Sequence, residues 1–228
     1  MSRSLTLDAS GFIELATKGD EQAARAALER DPALAQARDA QGVSVVCLAV
    51  YYGRRKLADA LAERRADLDI FEASCVGNAA RVRSILAEHP DRVNSVSPDG
   101  YGPLGYSAFF GHAELLRELI ARGADVNAPS SNAMAVRPAN SAAAHPDPAL
   151  AVTLMRALLE SGADPNGRQN GGYTALHEAA FNGNIALIRL LLERGANPRL
   201  ANDEGGLPAD LARSKGHAEA ARLLAGAA

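Results

Sequence analysis

Five histidines and two cysteines carry the widest chemical repertoire in this chain. A metal site would need such ligands at turn or helix spacing, for example i and i+4 on one face. His89, His112, His145, His177 and His217 are too dispersed for that, and no two share a helix at ligand spacing. Cys47 and Cys75 lie in apolar surroundings, "SVVCLAV" and "EASCVGN". Such settings suit buried free thiols acting as small hydrophobes, with neither a disulfide framework nor zinc spacing. A nucleophilic role for either cysteine would need a nearby base, and none stands close in sequence. There is no G-x-S-x-G, no phosphate-cradling loop, no dinucleotide fingerprint and no H-E-x-x-H. The expectation is a non-enzymatic chain with no catalytic residue, no cofactor and no metal.

Bulk properties narrow the class further. Hydrophobic residues make up 47% of the chain, enough for a packed core. With 24 Lys and Arg against 27 Asp and Glu, the formal net charge is −3, which argues against a nucleic-acid partner. Arg54, Arg55, Lys56, Arg64 and Arg65 cluster, but Asp59, Glu63 and Asp67 interleave with them, so a solvated helix face is expected there. The opening stretch, "MSRSLTLDASGFIELATKGD", lacks the apolar segment of a signal peptide. No run approaches the roughly 18 apolar residues of a membrane span. These features predict a cytoplasmic protein with no membrane contact.

The elements that must position any site come from an internal repeat. "GGYTALHEAAFNGNIALIRLLLERGANPRLANDE" and "DGYGPLGYSAFFGHAELLRELIARGADVNAP" follow one pattern. Gly-Ala-Asp/Asn recurs at Gly123, Gly162 and Gly195, the last two 33 residues apart. A second glycine recurs at Gly19, Gly53, Gly77, Gly111, Gly183 and Gly216. In the best unit Thr174 is placed to cap a short helix, and Leu176, Ala179 and Ala180 share a narrow apolar face. Gly183 ends that helix, and Ile185, Leu187, Ile188, Leu191 and Leu192 form a second, more apolar one. Neither helix can bury its face alone, so stability must come from stacking successive pairs.

A period of about 33 residues beginning near T-P-L-H-x-A is the ankyrin signature. Thr174 to Asn197, "TALHEAAFNGNIALIRLLLERGAN", matches it at nearly every position, and the chain resembles the ankyrin-repeat family along almost its whole length. The resemblance implies a single all-α ankyrin solenoid over 1–228, with seven units starting near 10, 39, 68, 99, 137, 170 and 203. It also implies a structural hydrogen-bonding role for His177. The first and last units are atypical, as terminal caps should be. Leu207 stands in the Thr slot of the last unit and Asp210 in the His slot. His112 and His217 follow the helix-ending glycine where Asp20, Asn78 and Asn184 stand in other units, so capping of the second helix is expected of them. The Ala- and Arg-rich composition fits a bacterial source with GC-rich codons.

Two departures break the period. Gly53 and Gly77 are only 24 residues apart, the extended turn being missing. Gly123 and Gly162 are 39 apart, with the surplus in "APSSNAMAVRPANS" (128–141). Pro146 and Pro148 then truncate the first helix of the fifth unit.

Binding residues are sought on the side of each first helix away from the stripe. In the Thr174 unit those slots hold Glu178, Phe181 and Asn182; in the Asp99 unit, Tyr106, Phe109 and Phe110. In the Asp39 unit they hold Leu48, Tyr51 and Tyr52, and Tyr101 and Tyr173 occupy the turn just before the helix. Eight of the ten Phe and Tyr thus fall where polar residues are the default. Clustered rings amid polar residues mark an interaction patch, although packing between neighbouring repeats would also account for them. The resemblance places these slots along a concave groove that takes a protein partner. Met134, Val136 and Arg137 of the insertion are added as candidate contacts. The predicted protein is a monomer. A homo-oligomeric structural protein and a small-molecule or cryptic enzymatic site at the fifth unit are the alternatives.

Overall fold

The computed structural model describes residues 7–227; the first six residues of the stretch read above for a leader lie outside them. Among the described residues the chain is all α, fourteen helices in seven consecutive pairs, with no strand. The helices divide into two compact units. The first holds the described residues up to Arg92 and Ser97–Asp99; the second holds Val93–Val96 and the described residues from Gly100 onward.

In the first unit the pairs are α1 (Ala9–Lys18) with α2 (Glu21–Arg30), α3 (Val45–Tyr51) with α4 (Arg55–Glu63), and α5 (Ile70–Val76) with α6 (Ala79–Glu88). Helices α1, α3 and α5 pack in succession, as do α2 and α4. The buried stripes meet there: Phe12 and Ala16 of α1, Val45, Val46 and Ala49 of α3, and Leu57 and Leu61 of α4. The short link between α4 and α5, residues 64–69, accounts for the missing extended turn.

The basic cluster is largely the solvated face the sequence suggested, with Arg55, Lys56 and Arg64 exposed and Arg55 paired with Asp59 at 3.0 Å; Arg65 is the exception. Arg65 is nearly buried, and its guanidinium reaches the Glu72 carboxylate at 2.6 Å, which Arg38 also approaches at 3.3 Å. Glu72 Oε2 accepts the Asp69 amide at 2.9 Å, closing a reciprocal capping box on α5. A carboxylate can be buried there only because two guanidinium groups compensate it.

In the second unit the pairs are α7 (Pro103–Phe109) with α8 (Ala113–Ala121), α9 (Pro138–Ala143) with α10 (Pro148–Glu160), α11 (Ala175–Phe181) with α12 (Ile185–Glu193), and α13 (Pro208–Ser214) with α14 (Ala218–Gly226). First helices stack on first helices and second on second. Proline fixes the irregular fifth pair: α9 stops before Pro146, and Pro148 is the first residue of α10, capped by Asp147.

A ladder of asparagines sets the register of this unit. Asn94 donates to the Gly123 carbonyl (3.1 Å) and accepts the Asp125 amide (2.8 Å). Asn127 does the same to Gly162 and Asp164 (3.0 and 2.8 Å), and Asn166 to Gly195 and Asn197 (3.0 and 2.8 Å). Each side chain satisfies backbone groups left over where the next repeat's second helix ends. Each such bond contributes about 0.5–1.5 kcal/mol, so loss of both costs about 1–3 kcal/mol. The variant Asn166→Ala is therefore expected to lower the unfolding free energy from urea titration, followed by far-UV circular dichroism, by an amount in that range, and the midpoint with it. Arg199→Ala, on the exposed surface nearby, should leave the midpoint near wild type.

Candidate interaction surface

The first helices α7 and α11 bring the candidate rings of the second unit out of the core. On α7, Leu104, Ser107 and Ala108 face inward and are buried, as the repeat pattern requires. Phe109 follows one residue later and is 42% exposed, and Phe110 is half-buried. The two rings meet edge to face with centroids 5.0 Å apart.

Tyr106 does not belong to the accessible set. It is only 1% exposed, because Tyr101 covers it from the preceding turn (5.8 Å) and Phe110 stacks on it from one helical turn later (6.2 Å, 7° between planes). A slot opposite the stripe is solvent-facing on an isolated helix, but a ring at i+4 and a ring from the turn can roof it. Tyr106 is a foundation for Tyr101 and Phe110, not a contact surface of its own.

On α11 the slot equivalent to Tyr106 holds Glu178, half-buried, with its carboxylate taking the Gln169 side-chain amide at 2.9 Å. Burial pushes its pKa upward. Phe181 is 43% exposed, and the Lys215 ammonium sits 4.2 Å from its centroid in a cation–π contact. Tyr173, half-buried, rests edge-on against the His177 ring (5.6 Å).

The insertion is a hydrogen-bonded loop on this unit. Ser130 N donates to Val136 O (2.8 Å), Ser131 N to Gly100 O (2.8 Å), and Asn170 N to Met134 O (2.9 Å). Arg137 is turned toward backbone, its guanidinium bonded to the Asn127 and Arg168 carbonyls. Its first task is thus to tie the loop to the neighbouring turns. Val136 is half-buried and Met134, 52% exposed, presents its side chain to solvent. The cleft beneath the loop, lined by Val96, Tyr101, Ala128, Val136 and Pro138 among others, holds about 50 Å³. That is room for a few waters at most, well short of a metabolite pocket.

Tyr51 and Tyr52 lie in the first unit, at the end of α3. The Tyr51 hydroxyl donates to Asp99 Oδ2 at 2.7 Å, which anchors the ring, whereas Tyr52 is 50% exposed.

Three of the histidines, His145, His177 and His217, take structural roles that sequence spacing only partly foretold. His177 Nδ1 accepts from the Thr174 amide (3.1 Å) and hydroxyl (2.9 Å), so its proton is on Nε2, which donates to Gly206 O at 3.2 Å. His217 does not cap its own helix. It reaches the Phe181 carbonyl of the preceding repeat at 3.1 Å, over Gly183, where any side chain would collide with the imidazole. His112 likewise makes no side-chain cap bond, while Asp20, Asn78 and Asn184 do cap their helices. His145 accepts the Asp147 amide through Nδ1 at 3.1 Å, a partner not evident from its position before a proline.

Burial lowers the pKa of His177 from its ordinary 6.5. As pH falls below about 6.5 the unfolded chain takes up a proton before the native state does, so stability must fall until the native ring also titrates. Thermal unfolding between about pH 7 and pH 5 should therefore show a stability loss that is smaller in His177→Gln, whose side chain does not titrate. An identical pH dependence in the two proteins would contradict a buried neutral imidazole.

Comparison with known proteins adds the last observation. Residues 141–228 match the family model for ankyrin repeats in three copies, and residues 99–131 match the model for a single ankyrin repeat, together more than half of the chain. Ankyrin repeat domain-containing protein 49 of Homo sapiens is 47% identical over 47 residues, 21% of this chain and 20% of that protein; the Bos taurus protein matches to the same extent. Alpha-latrocrustotoxin-Lt1a of Latrodectus tredecimguttatus is 30% identical over 109 residues, 44% of this chain and 8% of the toxin. The matched stretches thus span a fifth or less of these relatives' own lengths.

Proposed function

We propose, from the premise that the chain belongs to the ankyrin-repeat family, that it is a protein-binding module whose partner docks on the rings carried by its first helices. Members of this family generally act as non-enzymatic binding modules. The observation that carries the finer reading is the state of Phe109 and Phe181, large rings left more than two-fifths exposed at equivalent positions of α7 and α11. Both are already held: Phe109 against Phe110, which is stacked on buried Tyr106, and Phe181 against the Lys215 ammonium. Rings fixed before binding lose little side-chain entropy on contact, and aromatic anchors of this kind dominate interface energies.

In the second unit Tyr101, Phe109, Phe110, Tyr173 and Phe181 form the proposed surface, with Met134 as a contact from the insertion. Tyr52 is proposed as the corresponding contact of the first unit. The seven helix pairs are taken to act as one domain, as a monomer in the cytoplasm, with a protein rather than nucleic acid or membrane as partner. The small cleft under the insertion gives no support to a metabolite site there.

The test compares Phe109→Ala and Phe181→Ala with Tyr106→Ala. The first two should unfold within about 1 kcal/mol of wild type yet lose tenfold or more in partner affinity after capture from lysate. Tyr106→Ala, which empties a buried site, should cost about 3–5 kcal/mol of stability. Undiminished capture by the two exposed-ring variants would refute the reading.

A further inference from the structure

We propose that Cys47 and Cys75 form a modification site: a buried dithiol that a small two-electron oxidant of the peroxide class converts into an intramolecular disulfide fastening α3 to α5. The sequence offered no reason to pair them, since each looked like an isolated small hydrophobe. The fold brings them together because α3 and α5 are the first helices of successive repeats and pack directly on each other. Cys47 lies in the first turn of α3 and Cys75 near the end of α5. Both are buried, at 3% and 0% exposure, and their Sγ atoms are 2.8 Å apart. A disulfide bond is about 2.05 Å long, so bond formation asks the sulfurs to close by less than about 1 Å.

The chemistry balances with peroxide alone. One thiol, as thiolate, attacks a peroxide oxygen and becomes a sulfenic acid as the other oxygen leaves to form water. The second thiolate attacks that sulfur, forms the S–S bond and expels hydroxide, which is protonated to a second water. Two thiols lose two protons and two electrons, and one peroxide is reduced. Burial selects the oxidant, since it shuts out a bulky disulfide such as oxidised glutathione and leaves a molecule little larger than water as the oxidant of choice. The same burial, with the neighbouring Cys47 thiol and the more distant Asp99 and Asp69 carboxylates, pushes the Cys75 thiol up and keeps it protonated. Reaction is therefore slow, as befits a pair that records sustained oxidation rather than a rapid sensor.

The product would close the loop between positions 47 and 75 and stabilise the first unit against unfolding. It would also fix α3, whose last residue is Tyr51 and whose cap is Tyr52.

The experiment treats reduced protein with hydrogen peroxide at about pH 8.5, where thiolate forms more readily. The products are unfolded, alkylated and digested with trypsin. The expected product is monomeric, lighter by two hydrogen atoms, and yields peptides 39–54 and 66–81 joined through Cys47 and Cys75. Its unfolding temperature should rise by about 5 °C or more and return on reduction with dithiothreitol. Peroxide should give Cys47→Ala no such rise; if that variant does not fold, the wild-type peptide map and its reversal decide alone. Two thiols still open to alkylation after prolonged treatment would overturn the proposal. So would sulfinic or sulfonic acids in place of the cross-link, a cross-link only between molecules, or one that leaves the unfolding temperature unchanged.

Discussion

Asn94, Asn127 and Asn166 each reach one repeat forward, binding a glycine carbonyl and the amide two residues beyond it. The rest of the second unit depends on this contact because it leaves little freedom in how one helix pair sits on the next. Apolar stripes attract without direction, and Leu115, Leu154 and Leu187 could slide over neighbours of the same kind. The carboxamide, bonded at both ends, specifies one register. That register puts Ser107 and Ala108 inside and leaves Phe109 outside on the same short helix.

The start of the first helix shows one backbone need met by different chemistry. In α11 a neutral imidazole, His177, accepts from the Thr174 amide and hydroxyl and donates its Nε2–H to the next repeat's Gly206 carbonyl. In α5 the slot holds Glu72, which accepts the Asp69 amide and is compensated by Arg65 and Arg38. In α13 Asp210 accepts the Leu207 amide at 3.0 Å. All three answer the orphan donors of a helix N-terminus. They differ in charge: Glu72 is compensated by two guanidinium groups and Asp210 pairs with Arg213, whereas His177 stays neutral. Arg65 is the one member of the basic cluster drawn from the solvated face into that arrangement.

Periodic features were legible in the sequence because the fold is periodic. The seven pairs, the shortened link before α5 and the proline-limited α9 could be read from glycine and proline spacing, which report backbone constraints directly. Side-chain exposure was less legible where it depends on a residue outside the helix being read. Tyr106 shares its angle with Glu178, yet Tyr101 and Phe110 bury it. His217 contacts the repeat before it, and the Cys47–Cys75 pair joins positions 28 residues apart that are not equivalent in their repeats. Such contacts are tertiary, and a single helix projection does not contain them.

Stacking holds Phe109 and Phe181 outside the core, where we propose that a partner covers them. The most direct measurement is fluorine NMR on protein carrying fluorophenylalanine, with a soluble paramagnetic reagent reporting ring exposure. The account predicts strong broadening at Phe109 and Phe181, none at fully buried Phe12, and recovery of the first two signals when the captured partner is added. Signals from Phe109 and Phe181 as protected as that of Phe12 in the free protein, or still broadened in the complex, would contradict it.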